Sequence, residues 1–152
     1  MPDGGDGPAG GDDLPLVIDD LAGMPATLGY VTTVHDAHCE TRLALDARHA
    51  NRNGRVHGGI HATVLDAAMG FAASRAFARA EGGRTADTDV LTLSLTTNFV
   101  GASDGDTLVA TGRVDTHGRS VAFASGTVHD GEGRLLATGT ATFKRTRTRG
   151  GR

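Results

Sequence analysis

The stretch from Ile60 to Ala80 constrains the fold more than any other. It runs about twenty residues through Ala, Leu, Met, Phe and Arg with no proline, and Glu81-Gly-Gly83 supplies a glycine stop. Apolar residues recur at 60, 64, 67, 68, 71 and 72, close to helical spacing. Such a helix is about 30 Å long and apolar on most sides, so it has to be buried. Four strand-like segments follow: 90–99, 107–115, 120–129 and 135–143. They are separated by turns (Asp104-Gly-Asp106, His117-Gly118, Asp130-Gly-Glu-Gly133) and not by helices. Without crossover helices these strands pair antiparallel. Before the helix, Leu28–Val34 and Glu40–Asp46 read as a hairpin, and Leu14–Met24 as a short helix limited by Pro15 and Gly23. The expected fold class is α+β, a long central helix wrapped by a five- to six-stranded antiparallel sheet.

The expected domain covers residues 14–145, between an acidic Gly-rich tail (1–13) and a basic tail (146–152). Residues 1–20 hold six Asp and no Lys or Arg, and 144–152 hold five basic groups and no acid. A net charge of −3 over 152 residues argues against a nucleic-acid partner. The longest apolar run is too short to span a bilayer, and the acidic start is unlike a secretory signal, so no membrane partner and a cytoplasmic location are expected. Cys39 is the single cysteine, which excludes an internal disulfide, and reads as a small strand residue.

The chemistry concentrates in Asn51-Arg-Asn-Gly-Arg-Val-His57-Gly58-Gly59 and the helix that follows. From Ala62 to Ala73 the only charged side chain is Asp66. A carboxylate buried in an apolar helix carries a desolvation cost and invites a functional explanation. Asp66 could attack an acyl carbon or activate water. The glycines at the helix start let a carbonyl approach unpaired N–H groups, an oxyanion-binding device. His57 could orient a substrate or cap the helix; Asn51 could bind or simply turn the chain. His57 and His61 stand four apart, a metal-ligand spacing, but no third ligand is evident and no metal is expected. Gly58 and Asp66 lie eight residues apart, about 12 Å along a helix. They cannot serve one reacting group within a single chain, so a two-fold dimer with sites at its interface is expected.

Asn-x-x-Gly-x-x-His-Gly-Gly followed by Asp nine residues after the His resembles the PaaI-like acyl-CoA thioesterases of the hotdog superfamily. The resemblance extends over about residues 25–145, through VLTLSLTTNFVGASDGDTL and HGRSVAFASGTVHDGEGRLLATGTATF. It implies the hotdog fold, a homodimer often paired into a homotetramer, and hydrolysis of an acyl-CoA or carrier-protein thioester with no cofactor. By position, it implies that Asp66 is the catalytic carboxylate, Gly58 the oxyanion N–H with His57 and Gly59 beside it, and Asn51 a carbonyl- or water-binding group. Thr92 falls where such proteins hold the nucleophilic water, and Gly118-Arg119-Ser120 near the CoA phosphates. Leu65 stands where alanine often precedes the acid. The acyl group could be aryl, branched or medium-chain. A non-catalytic hotdog domain that binds acyl-CoA or carrier-protein thioesters is the alternative. A hydratase is disfavoured because Phe71 stands where its Asp-x-x-x-x-His motif needs histidine.

Overall fold

The computed structural model describes residues 14–83, 86 and 88–146. The expected acidic tail, and all but the first residue of the expected basic tail, lie outside the described residues. In chain order the elements are β1 (Leu16–Ile18), α1 (Gly23–Leu28), β2 (Tyr30–Val34), β3 (Cys39–Ala44), a single 3-10 turn (Ala47–His49), α2 (Gly58–Ala80), β4 (Val90–Phe99), β5 (Thr107–His117), β6 (Val121–Asp130) and β7 (Leu135–Arg145). The strands form one sheet in the order β1-β2-β3-β5-β6-β7-β4, and every pairing is antiparallel. The sheet curls round α2, which is the α+β hotdog architecture expected.

The N-terminal reading needs correction. Leu14–Met24 is not a helix. Leu16–Ile18 pairs with β2, and the helical turn comes later, from Gly23 to the left-handed Gly29. Leu16-Val-Ile18 is short, apolar and partly β-branched, and the neighbouring edge of β2 offers it unpaired backbone groups. This adds a seventh strand to the sheet.

Helix α2 sits very close to the sheet because of a row of glycines. Gly112 pairs with Gly126 across β5 and β6, and Gly126 pairs with Gly139 across β6 and β7. A Cβ on Gly112 would lie 2.5 Å from the backbone of Ala68 and Met69. One on Gly139 would lie 3.1 Å from the Leu65 side chain. The trough made by these bare positions takes the helix face of Val64, Leu65, Ala68 and Met69, all fully buried. Leu43, Leu108, Val128, Leu136 and Phe143 close the core around it. Gly70, which the sequence suggests for a close backbone approach, faces the Phe143 ring instead, at 3.4 Å from a built Cβ.

The sheet leaves one side of α2 open. Gly59, Ala62, Thr63, Asp66, Ala67 and Gly70, at three- and four-residue spacing, are at most partly buried. β4 borders this open side as the end strand of the sheet, paired with β7 on one edge only. No helix among the described residues is long and apolar enough to cross a membrane.

Candidate active site

The loop ahead of α2 is built on a histidine. Asp46 caps the turn Ala47–His49, and His49 is 1 % exposed. Its Nδ1 accepts from the Asp46 N–H at 2.9 Å, so the proton sits on Nε2, which donates to the Leu28 carbonyl at 2.8 Å. The His49 carbonyl then accepts the His57 N–H at 2.8 Å. One buried residue thus ties the end of α1 to the start of α2. Sequence reading found no role for His49; the spacing Asp46-x-x-His49, a capping box with histidine in the acidic position, was the available signal.

Asn51 organises the next turn. Its Oδ1 accepts from Asn53 N–H at 2.9 Å and Arg55 N–H at 3.2 Å, and its own N–H donates to the Arg55 carbonyl at 2.6 Å. The asparagine oxygen is therefore occupied in shaping the loop, the plainer of its two expected roles. His57 is the helix N-cap, with extended backbone and Nδ1 accepting from Gly59 N–H at 2.9 Å. That bond uses the Gly59 donor. Among the described residues the Gly58 N–H has no acceptor, and it lies at the positive end of a 23-residue helix. The Phe99 ring lies over Gly58, 3.3 Å from a built Cβ, so a side chain there would have to displace the ring. His61 packs edge-on against the same ring, centroids 5.7 Å apart. The two imidazoles hold different places, His57 capping the helix and His61 buried in the core.

Asp66 lies two turns further along. In the single chain it is only partly buried, contrary to the sequence expectation, because it falls on the side of α2 that the sheet leaves open. Thr92 Oγ1 donates to Asp66 Oδ1 at 2.8 Å. A strand irregularity makes this bond possible. Thr92 pairs with Phe143 and Ser94 with Thr142, so Leu93 is a bulge. The expected alternation, with Leu91, Leu93, Leu95 and Phe99 on one face and Thr92, Ser94, Thr96 and Asn98 on the other, is therefore broken. Val90 and Thr92 face the helix before the bulge, and Leu95 and Phe99 after it. A cavity of about 300 Å³ adjoins Asp66 and Thr92, walled by Tyr30, Gly70, Phe71 and Phe143.

Gly118, Arg119 and Ser120 form the turn between β5 and β6, away from Asp66. Gly118 N–H donates to the Val121 carbonyl at 2.9 Å, and the Ser120 carbonyl accepts from Arg145 N–H at 2.8 Å. Arg119 and Ser120 share an open cleft with Lys144, Arg145 and Leu91. Arg145 pairs with Glu81. The expected site residues thus fall into three groups: the helix start (Asn51, His57, Gly58, Gly59), the Asp66–Thr92 pair, and this basic turn.

A long helix wrapped by a curled antiparallel sheet defines the class of hotdog domains. The sequence profile of the thioesterase superfamily matches residues 53–137, and the chain belongs to that family. Asn51 lies just outside the match. A Pseudomonas aeruginosa protein carrying an esterase designation, PA0474, is 37 % identical over 102 residues, 66 % of this chain and 70 % of that one. A thioesterase family protein from Silicibacter pomeroyi superposes with a TM-score of 0.69 at 29 % identity, covering 82 % of this chain and 89 % of that one. BH2602 from Bacillus halodurans, solved with CoA, gives 0.61 at 28 % identity over 70 % of each chain. PaaI of E. coli shares the fold, at 0.67 and 18 % identity over 81 % and 83 %.

Proposed function

We propose that the protein hydrolyses an acyl-CoA thioester, with Asp66 as general base and the Gly58 N–H of a second subunit as oxyanion donor. The observation that carries this reading is the pair of half-sites on α2. Asp66, with its bond to Thr92 and its cavity, lies about 12 Å along the helix from the unpaired Gly58 N–H. Each half lacks what the other has. Two α2 helices running antiparallel bring Gly58 of one subunit opposite Asp66 of the other, twice per dimer.

The exposed surface fits that pairing. β4 presents an unpaired edge ten residues long, and Leu93, Phe99 and Val100 are 55 %, 57 % and 57 % exposed along it. An edge of that length and hydrophobicity is a template for strand addition. The small residues on the open side of α2 let a second helix come close. Phe123 and Leu91, exposed on the outer side of the sheet, offer a further surface for pairing dimers into a tetramer.

The chemistry then balances. Asp66 takes a proton from water and the hydroxide oxygen attacks the thioester carbon. The oxyanion is held by the Gly58 N–H with the helix start behind it. The intermediate collapses with cleavage of C–S, and Asp66 returns the proton to the thiolate, leaving acid and CoA. The Gly118–Ser120 turn with Lys144 supplies donors and positive charge for the CoA phosphates. A phosphopantetheine on a carrier protein offers the same thioester to the same groups. The CoA bound to BH2602 supports the first of the two substrates.

The test uses two inactive variants. Asp66→Asn removes the base. Gly58→Pro removes the N–H at the first helical position, where the helix backbone accepts proline and the extended His57 already suits one, and its ring carbons displace the Phe99 side chain. Each alone is expected to lose at least about a hundredfold in kcat on an acyl-CoA panel read by thiol release. Refolded together, they form hybrid dimers with one intact site, and activity returns. No recovery in a verified hybrid would sink the shared site; full activity of Asp66→Asn would sink the mechanism.

A further inference from the structure

The cavity beside Asp66 is lined by Tyr30, a polar side chain that the mechanism above does not employ. Tyr30 opens β2, pairs with Leu43, and turns its ring toward α2, as the alternation of buried Tyr30, Thr32 and Val34 requires. The residue is only 9 % exposed and packs in the main core. A phenol this deeply set ordinarily finds a hydrogen-bond partner. Among the described residues the Tyr30 hydroxyl has none, yet it is not one of the polar atoms sealed away without a partner. It opens into the cavity of about 300 Å³ that Asp66 and Thr92 also line. β2 and β4 lie far apart in the order of the sheet, and only its curl brings Tyr30 and Thr92 to the same space.

We infer that Tyr30 holds the attacking water: its O–H donates to the water oxygen, and the water donates to the Asp66 oxygen that Thr92 leaves open. The inference rests on the general-base reading of Asp66. A water fixed by one donor and one acceptor is oriented, and it keeps a lone pair directed into the cavity for the thioester carbon. The phenol is suited to the task because it stays protonated. Burial chiefly, and then the negative charges of Asp66 and Asp20, push its pKa above the usual 10.0. The other titratable group lining the cavity is Asp89, on the segment before β4. Neither Asp20 nor Asp89 makes a side-chain hydrogen bond to Tyr30 or Asp66, and neither changes between the two proteins compared below.

The experiment compares the wild-type dimer with Tyr30→Phe, which keeps the ring and removes one oxygen. A donor at the far end of a phenol–water–carboxylate chain favours the charged carboxylate, so its loss is expected to move the pH response of the Asp66 carboxyl signal to higher pH. The Asp66 side-chain carboxyl carbon, followed by NMR across pH, reports this with no substrate present. With an acyl-CoA, kcat is expected to fall about tenfold with KM within twofold, and the acid limb of the rate profile to move to higher pH. An unchanged Asp66 titration, or a loss confined to KM, overturns the assignment. If the titration shifts but no acyl-CoA is cleaved by the wild type, the thioesterase reading fails and the Tyr30–water–Asp66 contact stands.

Discussion

His61 shows how one buried atom sets a pH limit. It is 6 % exposed, and its Nδ1 has no partner among the described residues. Burial pushes its pKa below the ordinary 6.5, so the folded protein keeps it neutral where the unfolded chain would protonate it. Proton uptake by the unfolded state then favours unfolding. The stability His61 contributes is present above pH 6.5 and is lost as the pH falls through the lower, folded-state pKa. We expect Tm to decline on acidification from pH 7.5 to 5, and His61→Leu to flatten that decline; an identical slope in the variant would exclude His61 as the cause. At this scale the sequence was legible where a residue type is rare in its setting. Asp66 stood out as a lone acid in an apolar helix. Tyr30 and His49 did not, because a tyrosine in a strand and a histidine in a loop are ordinary until their partners, distant in sequence, are seen. Cys39 behaves as expected of a small strand residue: its buried thiol is pushed up to about 12 and stays protonated at neutral pH.

The elements were legible as far as periodicity reaches. α2 and β5 to β7 announce themselves by spacing and turns. β1 does not, since three residues carry no period and form a strand only because β2 has a free edge. The Leu93 bulge was invisible for a related reason: a regular alternation in the sequence gives no sign of one unpaired residue, and that residue reverses which side chains meet the helix beyond it. The glycines of β5, β6 and β7 look like scattered flexible positions until the register aligns them. Gly112→Ala tests the alignment. Its methyl would meet helix backbone, which cannot rotate away as a side chain could, so α2 or the sheet must move. The expected cost is about 3 kcal/mol or more, a fall in Tm of roughly 10 °C by calorimetry. Gly118→Ala, in an open turn with no heavy atom within 4 Å of a built Cβ, is expected to leave Tm nearly unchanged.

At the scale of the whole molecule, the surface is open in the same places that hold the candidate site residues. The bare edge of β4, the small-residue side of α2 and the two half-sites lie together. We expect sedimentation to give a dimer or tetramer, and Leu93→Glu with Val100→Glu to give a folded monomer with little thioesterase activity. A fully active monomer would refute the shared site. The sequence suggests the same shared site from helical rise alone, whereas it does not give the group to be accepted, because the cavity walls come from strands far apart in the chain. The glycine trough bears on that last point. With α2 seated almost on the sheet backbone at Gly112, Gly126 and Gly139, helix and sheet leave no room between them along that row, and the cavity beside Asp66 opens on the flank of the helix instead. Altering what the enzyme accepts is therefore a matter of remodelling a seam, at positions such as Phe71 and Phe99, with the foundations of the fold left alone.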